Sequence, residues 1–372
     1  MKAILPRQEF QDALAAVATL TGGRTTRPIL NCVRMRVGGE HLELSGTDGE
    51  AGLRLGIGAL AVEHEGEVVV PAERLLAIVR ELGDVELSLE ADERYCVIRG
   101  EGSEFRIFVV AAADFPPVPG FEDAADFTID VKQLRRMTAL TLYAAARESS
   151  RYAINGVLWE KRGKRLFLVA TDGRRLARAG GAVLESRSGD FEVILPAKAV
   201  GVFEKVFAPS REEGEGVVEV KITPNQVLLR LGERVLSTVV VEGSFPRYDE
   251  VIPKEHNKRA RLGREALLGA VSRAALLTTE ESRAVKLAFD SQSLVITSQA
   301  PEQGDARVEI PIGYEGEPLT IGFNPLFLRD ALRAMPFDEV AIDLHEAFRP
   351  GVISGEDRNE FLYVVMPVSL SM

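Results

Sequence analysis

Three elements recur along this chain in one order and at nearly one spacing, and no other feature of the sequence limits its fold as much. The first is a Thr-Asp-Gly, in "LSGTDGEAGLRL" at 44–55 and in "VATDGRRLARAG" at 169–180, with Asp48 and Asp172 124 residues apart. The second is an apolar strand, a Pro-Ala and an amphipathic helix: "VVVPAERLLAIVREL" at 68–82, then "VILPAKAVGVFEKVF" at 193–207. A proline there suits the first helical turn, where its missing N–H has no bond to make. The third is a β-rich run ending in Phe-Pro, in "FRIFVVAAADFPPVP" and "RVLSTVVVEGSFPRYDEVIP". The last third keeps the order in "LTIGFNPLFLRDALRAM" and "EFLYVVMPVSL", while "LVITSQA" stands where Thr-Asp-Gly is due.

This periodicity predicts three domains, 1–122, 123–252 and 253–372. An amphipathic helix opens each one, over 8–20, 131–146 and 264–278. The strands carry β-branched, alternating residues and short turn-like connections, which predicts antiparallel pairing. The class is α+β, with two helices packed on antiparallel sheet in each copy. Within it Thr-Asp-Gly reads as a hairpin turn, Asp-Gly supplying the positive φ that a tight turn demands.

Chemistry is hard to find. The chain lacks a GxxxxGK[ST] loop, an HExxH and a Gly-x-Ser-x-Gly elbow. His41, His64, His256 and His345 are scattered, so neither metal nor cofactor is expected. Two cysteines, Cys32 and Cys96, make no disulfide framework, and cytoplasmic residence is the simpler expectation. No apolar run reaches membrane-spanning length, and no membrane partner is expected. Charge is more telling. The stretch 131–147 carries Lys132, Arg135, Arg136 and Arg147 and no acid. The six helical stretches together are +6 in a chain of net charge −11, so the remainder is −17. That bias favours a shared basic helical surface over ordinary solvated faces. A three-domain hydrolase using acidic pairs and a repeat scaffold that binds only proteins remain as rivals. An enzyme needs a perturbed carboxylate pair in a cleft, and the sequence offers no sign of one.

The motifs "GGRTTRPIL" (22–30), "GTDGEAGLRL" (46–55), "AADFP" (112–116), "RYAINGVL" (151–158), "ATDGRRLA" (170–177), "FPRYDEVIP" (245–253) and "YVVMPVSL" (363–370) span the chain. In them the chain resembles the bacterial DNA polymerase sliding clamps, the beta subunits of the replicative polymerase. The resemblance implies three DNA-clamp domains per chain and a ring-forming head-to-tail homodimer with pseudo-six-fold symmetry. It implies no enzyme but a processivity factor: duplex DNA threads the hole without being read, and the ring tethers polymerase.

By position, Arg24, Tyr152 and Lys198 match the family's DNA contacts, and the charge reading adds Arg74, Arg136 and Arg147. Glu148 stands where the family often has a polar amide. Phe105, Leu276 and Leu277 match the apolar dimer interface, with intradomain core as the alternative. The resemblance also implies a pocket for short linear motifs of a replicative polymerase subunit, the clamp loader and repair proteins. Its matching positions are Ile154, Thr171, Gly173, Arg174, Arg175 and Leu176, with Pro246 and Val251, then Val364, Val365, Met366, Pro367 and Val368. The aliphatics offer an apolar slot, Met366 can adapt its shape, and the arginines can pair with a partner's acidic groups. Arg174 replaces a common His and Ser369 a frequent Arg, so the rim is expected to prefer different motif residues.

Overall fold

A computed structural model describes residues 1–23, 25–100, 102–147, 153–207, 216–278, 284–301 and 303–369. Its strands and helices fall into three sets of identical order. The first set runs β1 (Lys2–Pro6), α1 (Arg7–Thr21), β2 (Cys32–Gly38), β3 (His41–Thr47), β4 (Ala51–Gly58), β5 (Ala61–His64), β6 (Gly66–Pro71), α2 (Ala72–Glu81), β7 (Glu86–Ala91), β8 (Tyr95–Gly100) and β9 (Ser103–Phe108). The second runs β10 (Phe127–Asp130), α3 (Val131–Thr141), β11 (Gly156–Arg162), β12 (Arg165–Thr171), β13 (Arg175–Ala182), β14 (Glu185–Ser186), β15 (Phe191–Pro196), α4 (Ala197–Val206), β16 (Val217–Ile222), β17 (Gln226–Leu231) and β18 (Arg234–Val239). The third runs β19 (Lys258–Gly263), α5 (Arg264–Ala274), β20 (Val285–Phe289), β21 (Ser293–Ala300), β22 (Gly304–Pro311), β23 (Gly313–Glu315), β24 (Leu319–Phe323), α6 (Pro325–Ala334), β25 (Glu339–Leu344), β26 (Gly351–Ser354) and β27 (Phe361–Val365).

Each set makes two antiparallel sheets and not one. The five-stranded half is β5-β1-β7-β8-β9 in the first set, and the four-stranded half is β4-β3-β2-β6. The halves then fuse between sets. β18 pairs with β4 and β13 pairs with β27, giving two nine-stranded sheets. Contacts accordingly divide the chain into two compact units through the second set. One holds Met1–Lys132, Val183–Ser188 and Lys198–Val240; the other holds Gln133–Ala182, Gly189–Ala197 and Val241–Met372.

In the first unit α1 buries Phe10, Leu14 and Val17 against β2–β4. Its approach to β3 needs Gly46, because a Cβ there would lie 2.4 Å from Val17 Cγ1. In the second unit α5 buries Leu267, Ala270 and Val271, and packs against β21 and β22. The strand–proline–helix motif differs in one detail from the expectation. Pro71 closes its strand opposite Cys32 and stands just ahead of α2; Pro325 alone of the two sits inside the first helical turn. Either place spares a backbone donor that proline lacks.

Both cysteines are buried and unpaired, and burial pushes the Cys96 thiol up to about 12. A thiol reagent should therefore leave the native protein unlabelled and modify two cysteines per chain in denaturant. Fast labelling of the native chain would contradict this packing. Among the described residues no helix is long and apolar enough to cross a membrane.

Candidate functional site

The Thr-Asp-Gly turns are built alike. Between β12 and β13, Thr171 Oγ1 accepts the Gly173 N–H (3.1 Å) and donates to the Arg175 carbonyl (2.6 Å). Asp172 Oδ1 accepts the N–H groups of Arg174 and Arg175 at 3.0 and 3.1 Å. Thr47, Asp48 and Gly49 repeat these bonds between β3 and β4. The glycines carry positive φ, 97° at Gly49 and 85° at Gly173. The aspartate acts instead by its side chain, mimicking a turn of backbone.

The second carboxylate oxygen separates the copies. Asp48 Oδ2 holds Lys198, whereas Asp172 Oδ2 holds Arg175 Nε at 3.0 Å. Burial works to raise the Asp48 carboxyl, but the Ala51 N–H, Lys198 and the Glu50 N–H outweigh it and hold it below the usual range.

From this turn β13 runs beside β27, with Arg175 opposite Val365 and Leu176 opposite Val364. Alternation sends successive side chains to opposite faces. Leu176 and Val364 join Leu158, Val169, Ile194, Val352 and Leu362 in one apolar cluster, with Phe245, Tyr248 and Ile252 packed over it. Ile154 and Thr171 are buried beside the same strands, and the Thr171 hydroxyl is consumed by the turn.

Arg175 and Val365 stand apart from the other proposed pocket residues. They face the other side of the sheet, Val365 fully buried and Arg175 with 11% of its side chain exposed. The guanidinium bonds Asp330 Oδ2 (2.7 Å) and the Tyr143 carbonyl (2.8 Å), and stands 4.6 Å from the Phe327 ring centre. These bonds brace the turn against α6. Arg175→Ala should destabilise the fold by about 3 kcal/mol, the low end for a broken buried pair, because water already screens Asp330. Urea denaturation measures this; an unchanged midpoint would remove the brace.

The rim is open. Gly173 and Arg174 are exposed, Val251 is 54% and Met366 44% exposed, and Pro246, Pro367 and Val368 are half-buried. The Met366 N–H donates to the Arg174 carbonyl (2.9 Å) and the Val368 N–H to the Gly322 carbonyl (2.9 Å), which fixes the tail on both sides. Two depressions flank it. One of about 470 Å³ is lined by Val251, Ile252, Val352 and Met366 among others; one of about 280 Å³ is lined by Phe348, Pro367 and Val368 among others. Phe348 is 72% exposed.

Pro246 and Val251 ride on an irregular connector latched by a buried acid. The Tyr248 hydroxyl donates to Glu160 Oε2 (2.5 Å), and Arg162 bridges Glu160 (2.6 Å) and Asp249 (3.0 Å). Burial and then Glu160 push the neighbouring Glu192 carboxyl up. The larger depression rests on buried Asp343, which Arg259 (2.5 Å), Arg358 and His256 (3.4 Å) surround. Burial and then the two guanidiniums lower the His256 imidazole. Sequence reading missed Ile252, Val352, Phe348 and this acid, because nothing local joins residues so far apart.

Of the proposed DNA contacts, Arg24 and Tyr152 lie outside the described residues, as does Glu148. Arg74 on α2 and Arg147, just beyond α3, are exposed. Arg136 on α3 is exposed but lies 3.4 Å from Glu360 and 5.5 Å from the Phe337 ring centre. Lys198, in the first turn of α4, is bound to Asp48. The last two must therefore leave an acid, or share it, to reach a phosphate. Phe105 is half-buried on the edge strand β9; Leu276 is 78% exposed and Leu277 half-buried, just past α5. The intradomain-core alternative does not describe Leu276.

Comparisons with known proteins agree with one another. Models of the DNA polymerase III beta subunit match in order: the N-terminal domain over residues 1–119, the central domain over 128–247 and the C-terminal domain over 249–369. A beta sliding clamp of Proteus mirabilis is 33% identical over 372 residues, covering 100% of both chains. The crystal structure of a sliding clamp from Pseudomonas aeruginosa bound to griselimycin has a TM-score of 0.91 and 30% identity, again over 100% of both chains. That of a DNA polymerase III beta subunit from Thermotoga maritima has a TM-score of 0.91 and 26% identity over the same full coverage.

Proposed function

The chain belongs to the DNA polymerase III beta-subunit family, and from that premise we propose how this molecule does its work. It is a DNA sliding clamp, a processivity factor for the replicative polymerase. Two copies close head to tail around duplex DNA, in the cytoplasm and without catalysis of their own.

One observation carries the ring. Two sheets hold nine strands, four from one set and five from the next, while β5-β1-β7-β8-β9 and β22-β21-β20-β24 stand as five and four. The joints already made are β18–β4 and β27–β13. β9 holds the place of β18 and β27, and β22 that of β4 and β13. A second copy offering β22 to β9 completes a third nine-stranded sheet and removes both open edges. The contact is heterologous, so two copies need two such joints.

Arg74, Arg136, Arg147 and Lys198, with Arg24 and Tyr152, attract phosphates without reading bases, which permits sliding. Partner proteins insert short linear motifs over Leu176, Val364, Val251 and Met366. Ile154, Thr171, Gly173, Pro246, Pro367 and Val368 shape that slot, Arg174 edges it, and Arg175 and Val365 back it. The decisive test is topological: protein loaded on a nicked circle should stay there and run off once the circle is cut.

A further inference from the structure

We propose that the ring closes in one register, fixed by two opposite-charge pairs: Arg106 opposite Asp305 of the partner subunit, and Glu104 opposite Arg307 of the partner subunit. The proposal rests on the homodimeric ring and adds what selects its partner strand.

The register follows from the joints the chain makes with itself. In those, Leu236 lies opposite Leu53 and Tyr363 opposite Ala177. Hairpins β8–β9 and β17–β18 both close on two-residue loops, at Gly100↔Ser103 and Leu231↔Arg234, so Phe105 holds the place of Leu236. On the other side, Val157 lies opposite Leu195 and Val285 opposite Phe323, each just ahead of a helix. Counting two residues on from Val157 and Val285 reaches Trp159↔Leu168 and Leu287↔Ile296. Two further along β12 and β21 stand Ala170↔Ala177 and Ser298↔Ala306, so Ala306 holds the place of Ala177. Phe105 therefore meets Ala306 of the partner subunit. Antiparallel pairing then sets Arg106 against Asp305 and Glu104 against Arg307.

Two independent features agree with this register. Burial alternates in step on the two strands. Phe105 and Ile107 are half-buried and buried, as Ala306 and Val308 are half-buried; Glu104, Arg106, Asp305 and Arg307 are all exposed. A slip of one residue would put charges opposite apolar groups. The charges also alternate in opposite senses along the two edges, so both pairs are attractive together. The corresponding pairs of the internal joints, Val235↔Arg54, Ser237↔Gly52, Leu362↔Arg178 and Val364↔Leu176, contain no opposite charges. A covalently joined strand needs no such code, whereas an edge that must choose its partner does. Within one chain Glu104 already touches Arg99 and Arg106, and Arg307 touches Glu309. The pairing extends that row across the joint.

The test uses two full-length variants, Asp305→Arg and Arg106→Asp, each confirmed folded by its thermal melt. Alone, either one faces like charge at both joints, and its dimer should weaken on the order of a hundredfold at low salt. Mixed in equal amounts, the two should form a heterodimer, because both joints then carry Arg opposite Asp. Sedimentation of the single and mixed samples reads this directly. Variants that dimerise as tightly as the wild type, or that stay monomeric when mixed, would overturn the register while leaving the ring intact. A monomeric wild-type chain would overturn the ring and the register together.

Discussion

Linearising a nicked circle that carries the loaded protein should shorten its residence by roughly a hundredfold or more, the scale by which avidity exceeds a single contact. The expectation comes from how little the helices offer as adhesion. Arg136 has Glu360 beside it and Lys198 has Asp48, so two of the four proposed contacts among the described residues are partly neutralised. Arg74 and Arg147 stand exposed. Such a set of cations is not expected to hold DNA by attraction alone. A closed ring does not need it to.

Salt separates the two mechanisms. An open protein held by six phosphate contacts would lose on the order of 10³ in affinity between about 50 and about 200 mM salt. Protein on a closed circle should lose little over that range, since screening does not open a ring. Protein on linear DNA should leave at either concentration. Equal retention on circular and linear DNA, with a steep salt dependence, would replace encirclement by ordinary electrostatic binding.

The repeat was legible because its signals are local. Thr-Asp-Gly is a turn wherever its hydroxyl and carboxylate can reach the next three N–H groups, and a proline between strand and helix acts where it stands. The sheets were not legible. Ser237 opposite Gly52 and Val364 opposite Leu176 are pairings across repeat boundaries, and periodicity names no partner strand. The candidate slot divides the same way. Leu176, Val364 and Met366 are proposed from the resemblance, which does not say which side of the sheet Arg175 faces. Adjacent strand residues share a motif and part company in space. The Glu160–Tyr248 latch was invisible for another reason. Glu160 lies in "VLWEKR", where an acid reads as solvent-facing, and the distant Tyr248 together with Arg162 helps make its burial tolerable.

Met366 gives the sharpest test of the slot because its two roles separate. Truncating Val364 would mix effects, since it is buried and its loss opens a cavity that costs about 2 kcal/mol or more. Met366 is 44% exposed and its fixing bond to Arg174 uses only the backbone N–H. Met366→Ala should thus shift stability by less than about 0.5 kcal/mol. Binding is another matter. The side chain lines the larger depression with Val251, Ile252 and Val352, where an inserted apolar residue would be enclosed. Losing a central anchor of that kind costs about 2 kcal/mol, near a thirtyfold loss in affinity. A fluorescent peptide from the polymerase's clamp-binding segment should show that loss by anisotropy, while the melt and the dimer stay as they were. Unchanged affinity would take Met366 out of the slot. A loss accompanied by an equal drop in stability would make it a packing residue and shift the binding surface to the Phe348 side of the tail.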